Sequence, residues 1–183
     1  MLMFKKMKQI LLSKGKIVSF YKDILETPDG NIVEYDYLMH NFGGGAGALV
    51  VDENDMTYLV KQYRNSINDL SIEIPAGGYS FKGESGEDCA RREIEEELGV
   101  KANRMIHISN IVSSIGTFDE KTDVYIALDL EKGKQKLDDG EYIEILKIDI
   151  NEAINMVYNG KINDSKTIIA LLAYRDLKYK GEI

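Results

Sequence analysis

Glu93, Glu96 and Glu97 are spaced to meet on one side of a helix. Each helical residue advances about 100°, which puts Glu93 and Glu97 ~40° apart and Glu96 ~60° to the other side of Glu93. Three carboxylates converging in this way suit a hard divalent cation such as Mg²⁺, with Mn²⁺ as an alternative, because such ions take oxygen ligands and retain water. A charge run is more often a plain solvated face. Here, however, like charges at i,i+4 repel by about a few tenths of a kcal/mol, and only Arg92 is well placed to offset them. Ala90, Ile94 and Leu98 form a separate stripe that can dock on a sheet, while Arg91 and Glu95 point to the solvent side.

The helix that carries these groups has readable ends. Ser85 is a candidate N-cap, Asp88 completes a capping-box pattern, and Gly99 suits the C′ position. Upstream, residues 17–25 and 32–40 are rich in β-branched and aromatic side chains around Pro28-Asp29-Gly30, which predicts an antiparallel hairpin. Gly43-Gly44-Gly45 breaks the pattern before strands at 46–51, 57–63 and 71–74, the last ended by Pro75-Ala76-Gly77-Gly78. Downstream, strands are expected near 104–114, 122–130 and 142–149, with an acidic loop at 137–141 and helices near 151–159 and 164–178. Strands mixed with a few helices, without regular βαβ alternation, indicate an α+β fold or a sandwich with a mixed sheet.

Charge and composition narrow the function. The 183 residues carry a formal net charge of −8, and a surface this acidic disfavours nucleic-acid binding. It would also repel a phosphorylated small molecule unless a divalent cation stood between them. The single cysteine, Cys89, rules out an intramolecular disulfide framework and a multi-Cys zinc site. It reads as a small buried residue, because no histidine nearby in the sequence would activate it as a nucleophile. His40 and His107 fall in expected strands and read as structural or surface residues. Lysines interrupt the short apolar runs at the N-terminus, and no run approaches transmembrane length, so the expected location is the cytoplasm and no membrane partner is expected.

The segment Gly78–Val100, GYSFKGESGEDCARREIEEELGV, resembles the Nudix box, G-x5-E-x7-R-E-U-x-E-E-x-G-U with U aliphatic, at every defined position. The seven fixed positions match by chance on the order of once in 10⁹ starting points. The resemblance implies a Nudix fold, with a mixed sheet sandwiched between helices, and hydrolysis of a pyrophosphate bond. It implies metal ligands at Glu93, Glu97 and Glu96, with the Ala76 carbonyl as a backbone ligand in some relatives. It also implies that Arg92 pairs with Glu84 and keeps the carboxylate array in place.

Outside the box, residues 58–78, YLVKQYRNSINDLSIEIPAGG, resemble the ADP-ribose pyrophosphatase branch. That resemblance makes Arg64 a phosphate or ribose contact and Glu73 a residue lining the site. It also implies a loop acid that activates water, with Glu141 the best match and Asp138 and Asp139 as alternates. Residues 1–45 would form an N-terminal antiparallel strand extension that helps build a homodimer, ahead of a hydrolase domain over 46–183. Ile115 stands where the branch commonly has a proline, although Gly116 and the Asp119-Glu120 pair keep the surrounding pattern. The expected partner is therefore a small nucleoside diphosphate derivative: ADP-ribose first, with GDP-mannose and UDP-glucose open. The alternatives are a non-hydrolytic nucleotide-sugar sensor and a triphosphate pyrophosphatase.

Overall fold

The computed structural model describes residues 2–183. The chain divides into two compact units, Met1–Gly44 with Val112–Lys121, and Gly45–Ile111 with Thr122–Ile183.

In the first unit, β1 (Lys5–Lys14), β2 (Val18–Glu26) and β3 (Ile32–His40) form an antiparallel sheet in chain order. The Thr27–Asn31 turn joins β2 to β3, with Gly30 at φ 85°. This is the expected hairpin, extended by a strand that the sequence pattern did not reveal. β1 reads KKMKQILLSK and is almost wholly exposed. No buried face imposes alternation on it, and its strand character comes from pairing with β2. In the same unit, the Ser114–Thr117 turn closes through Thr117 N donating to the Ser114 carbonyl, with Ile115 89% exposed within it.

The second unit is built on a seven-stranded sheet. The order is β10 (Ile143–Asp149), β5 (Met56–Arg64), β4 (Gly44–Val51), β9 (Lys121–Lys132) and β8 (Val100–Val112). β6 (Asp69–Glu73) pairs with β5, and β7 (Ala76–Gly78) pairs with β4. Alternation along the central strands sends side chains to two separate cores. Leu49, Val51, Val124 and Ile126 pack with Ile154, Leu171 and Tyr174 of α2 (Ile150–Tyr158) and α3 (Ser165–Lys180). Ala46, Ala48, Tyr125 and Ala127 pack with Ala90, Ile94 and Leu98 of α1 (Gly86–Leu98). Each buried Leu or Ile contributes about 1.5–3 kcal/mol, so both cores hold helices firmly to the sheet.

Three expectations differ from the observed elements. The glycine run was expected to interrupt the strands, yet Gly44 and Gly45 begin β4, and the Pro75–Gly78 stretch contains β7 rather than only a turn. The cause is close approach: a Cβ on Gly45 would lie 2.0 Å from the Gly77 carbonyl oxygen, and one on Gly47 would lie 2.6 Å from Ala76 Cβ. β8 also starts at Val100, immediately after α1, several residues before the expected strand. No helix among the described residues is long and apolar enough to cross a membrane.

Candidate active site

Local sequence fixes α1 at both ends. The Ser85 hydroxyl oxygen accepts from Asp88 N at 3.1 Å, and Glu87 and Asp88 place negative charge in the first turn, where the helix dipole favours it. Gly99 ends the helix in the left-handed region at φ 69°, donating to the Glu95 carbonyl. Arg91 turns back from the expected solvent side to donate to the Ala102 carbonyl. The last turn has no basic residue, although carboxylates sit there against an unfavourable dipole. The helix thus carries Glu93, Glu96 and Glu97 at a cost to its own stability.

Arg92 organises the array. Its Nε donates to Glu84 Oε1 at 3.1 Å, its Nη1 to Glu93 and to Glu96 Oε2 at 3.0 Å, and its Nη2 to the Gly78 carbonyl at 2.9 Å. The Glu84–Arg92 pairing expected from the sequence is therefore present, and Arg92 also holds two of the three array carboxylates. Burial works to raise the Glu84 carboxyl, but Arg92 and the Ser80 amide outweigh it and hold Glu84 below the usual range.

Glu97 differs from its neighbours. It is 2% exposed, and its Oε2 is buried without a hydrogen-bond partner among the described residues. Burial, then Glu93 and Glu141, push its carboxyl up to about 9. Burial likewise raises Glu93, which Arg92 only partly offsets. Gly77 abuts the Glu93 carboxylate so closely that a Cβ there would lie 2.1 Å from Oε1. The backbone next to Ala76 therefore borders the array. Glu141, close enough to act on Glu93 and Glu97, accepts from Gln62 Nε2 at 3.5 Å and from Asp138 N at 3.2 Å.

Among the described residues, no three carboxylate, imidazole or thiol groups already stand at metal-ligand spacing. Arg92 draws Glu93 and Glu96 toward itself, while Glu97 remains apart. The donor set nevertheless suits a hard cation. A buried, unpartnered carboxylate oxygen on the helix face that also carries Glu93 and Glu96 is an unused donor, and a divalent ion would satisfy it.

Arg64 and Glu73 are brought together on adjacent strands. Arg64 Nε donates to Glu73 Oε1 at 2.6 Å and Nη2 to Oε2 at 2.7 Å, a bidentate pair. Sequence reading named both residues but not their pairing. It missed Lys166, whose Nζ donates to Glu73 Oε2 at 2.5 Å and to Asp164 Oδ1 at 3.0 Å. Lys166 lies 93 residues from Glu73, so only the polar first turn of the α3 segment could have signalled it. Asp138 and Asp139 stay in the loop, where the Asp138 amide supports Glu141. Burial pushes the Cys89 thiol up to about 12 and so keeps it protonated. His107 lies 3.2 Å from Asp123, which also receives Tyr79 and Asn110, and His40 lies 3.9 Å from Glu120.

Comparison with known proteins agrees with this geometry. The NUDIX domain model matches residues 41–171. The chain is 32% identical over 166 residues to an ADP-ribose pyrophosphatase of Bacillus subtilis, covering 90% of this chain and 88% of that protein. It is 29% identical over 183 residues to a GDP-mannose pyrophosphatase of Yersinia pestis, covering 92% and 89%. A solved structure described as an ADP compounds hydrolase superposes with a TM-score of 0.84 at 19% identity, covering 98% of this chain and 97% of that one, a likeness of fold. The intact box, the carboxylate helix on its mixed sheet and the domain match agree: the chain belongs to the Nudix family of hydrolases, which act on pyrophosphate bonds.

Proposed function

We propose that this enzyme hydrolyses the diphosphate of a nucleotide sugar with the aid of a divalent cation, and that ADP-ribose, cut to AMP and ribose 5-phosphate, is its leading substrate. The observation that carries the reading is the buried, unpartnered Oε2 of Glu97 within the carboxylate array. Glu93, Glu96, Glu97 and the Ala76 carbonyl would hold Mg²⁺ or Mn²⁺. When bound, the cation neutralises the diphosphate and lowers the pKa of a nearby water.

The remaining work falls to the chain. Arg92 and Glu84 keep the array aligned. Arg64 binds a phosphate oxygen, and Glu73 orients Arg64. Glu141, held by Gln62 and the Asp138 amide, accepts a proton from the attacking water. A new P–O bond forms at one phosphorus, the bridging P–O bond breaks, and its electron pair leaves with the departing phosphate. The ADP-ribose choice rests on the Q-Y-R strand and the E-I-P-A-G turn, together with the Bacillus relative. GDP-mannose is the second reading, favoured by the similarity to the Yersinia protein.

We also infer a homodimer built through residues 1–45. Leu11 and Tyr35 on one face of the β1–β3 sheet, and Phe20 and Leu38 on the other, are between 36% and 52% exposed. Such apolar exposure marks an interaction surface.

The substrate is tested by a hydrolysis panel with Mg²⁺ and with Mn²⁺ over ADP-ribose, GDP-mannose, UDP-glucose and nucleoside triphosphates, identifying products directly. Preferential release of AMP and ribose 5-phosphate from ADP-ribose is expected. Preference for GDP-mannose would move the substrate and keep the chemistry. Silence across the panel would overturn the enzymatic reading in favour of a sensor.

A further inference from the structure

We propose that Lys166 is a positioning residue: by sharing the Glu73 carboxylate, it leaves the Arg64 guanidinium free to bind a phosphate oxygen of the substrate. This rests on the diphosphate reading above.

Glu73 has two oxygens and three charged donors. Oε1 takes Arg64 Nε, while Oε2 takes both Arg64 Nη2 and Lys166 Nζ. Its side chain is 4% exposed, so water contributes little to balancing its charge. With Lys166 present, the Glu73 carboxylate is shared between two cations while Lys166 keeps Asp164 as well, so Glu73 does not tie up the Arg64 guanidinium alone. Among the described residues nothing accepts from Arg64 Nη1. That edge of the guanidinium remains for a further anion. Like charges that share one oxygen repel each other, and a phosphate oxygen on the open edge of Arg64 relieves the repulsion. Both cations also act on Glu97, lowering its carboxyl against the effect of burial, which puts the pair within electrostatic reach of the array.

Lys166 is held more firmly than a surface lysine. It stands in the first turn of α3, 15% exposed, with Asp164 as both N-cap and second anion. Thr167, the next residue, accepts from Ile74 N at 2.7 Å and donates its own hydroxyl to Asp164 Oδ2 at 2.6 Å. The first turn of α3 therefore grips Glu73 and Ile74, the two residues that lead into Pro75 and Ala76. This latch fixes the helix turn that carries Lys166 beside Glu73, which lowers the ordering cost of their contact.

The test compares Lys166→Met and Lys166→Arg with Tyr174→Phe, a change on the same helix that removes the hydrogen bond to Asp55 away from the array. Two quantities are measured: the kcat and KM split on the best nucleotide sugar, and equilibrium binding of its non-hydrolysable α,β-methylene analogue with Mg²⁺. Lys166→Met is expected to raise KM and weaken analogue binding about tenfold, the effect of one charge-assisted contact, with kcat changed less than about threefold. Lys166→Arg should restore both to within about threefold, since it keeps the cation. Tyr174→Phe should lower Tm and leave both unchanged.

An unchanged KM in Lys166→Met, with the wild type turning over, overturns the proposal and spares the enzymatic reading. Equal weakening by Tyr174→Phe also overturns it, because Lys166 would then be a structural staple only. A wild type that turns over nothing but binds the analogue in a Lys166-dependent way overturns the enzymatic reading and supports the role of Lys166. A wild type that neither turns over nor binds overturns both.

Discussion

Glu97→Gln should make the metal-free protein more stable while removing its activity. Glu97 is pushed up to about 9 in the fold, from an ordinary value of 4.5. Between these values the folded chain keeps a proton that the unfolded chain has lost. Stability contributed at this site is therefore present in full below 4.5 and declines as pH rises toward 9. At pH 7 the loss relative to acid is about 3 kcal/mol, at about 1.4 kcal/mol per pH unit above 4.5. A glutamine of the same shape is neutral at every pH and escapes this loss. Its own N–H groups need partners, and water relieves part of the original strain, so a net gain of ~1–2 kcal/mol remains. For a chain of this size that raises Tm by roughly 3–6 °C. Thermal unfolding in EDTA at pH 5, 7 and 8 measures it. The gap between variant and wild type should widen from pH 5 to pH 8. Saturating Mg²⁺ should narrow it, since ligand at 100 times Kd adds about 2.7 kcal/mol to the wild type and less to a variant that binds the ion more weakly. A variant no more stable than wild type at pH 7 in EDTA, or a gap that ignores pH, refutes the reasoning.

Three other outcomes follow from the same geometry. Gly77→Ala puts a Cβ 2.1 Å from Glu93 Oε1; turnover should fall about 100-fold because the array is displaced by about an ångström, and near-wild-type kcat would refute the close packing. Glu73 is held down at about 2, burial opposing and Arg64 with Lys166 prevailing. Its contribution to stability is present above 4.5 and is lost as pH falls through about 2. Glu73→Gln should therefore cost ~2–3 kcal/mol at pH 7, read by urea unfolding, by taking the carboxylate from Arg64 and leaving Lys166 with Asp164 alone. Leu11→Glu together with Phe20→Glu should convert a dimer to a monomer in light scattering with α1 chemistry intact; a wild type that is monomeric at micromolar concentration contradicts the dimer.

What the sequence disclosed depended on how local each signal was. The α1 helix was legible because its caps, Ser85 and Gly99, its apolar stripe and its carboxylate spacing all lie within one short segment. The Glu84–Arg92 pair was legible through the box. β1 was not, because an exposed strand in which lysines and aliphatics follow no regular alternation bears no mark of a buried face. The glycines of β4 looked like a break, since the reason for them is the backbone of β7, some thirty residues on. Arg64 and Glu73 were named separately, but their salt bridge depends on the β5–β6 register. Lys166 enters only through the tertiary packing of α3.

On the proposed function, the α1 carboxylates hold a divalent cation through Glu97. Titration with Mn²⁺ at pH 8, followed by the loss of the free-ion electron paramagnetic resonance signal, tests it on wild type and Glu97→Gln side by side. The wild type should bind Mn²⁺ at micromolar to millimolar concentration, and the variant at least about tenfold more weakly, as expected for loss of one charged ligand. Equal binding by the two proteins, or none by either, would contradict it.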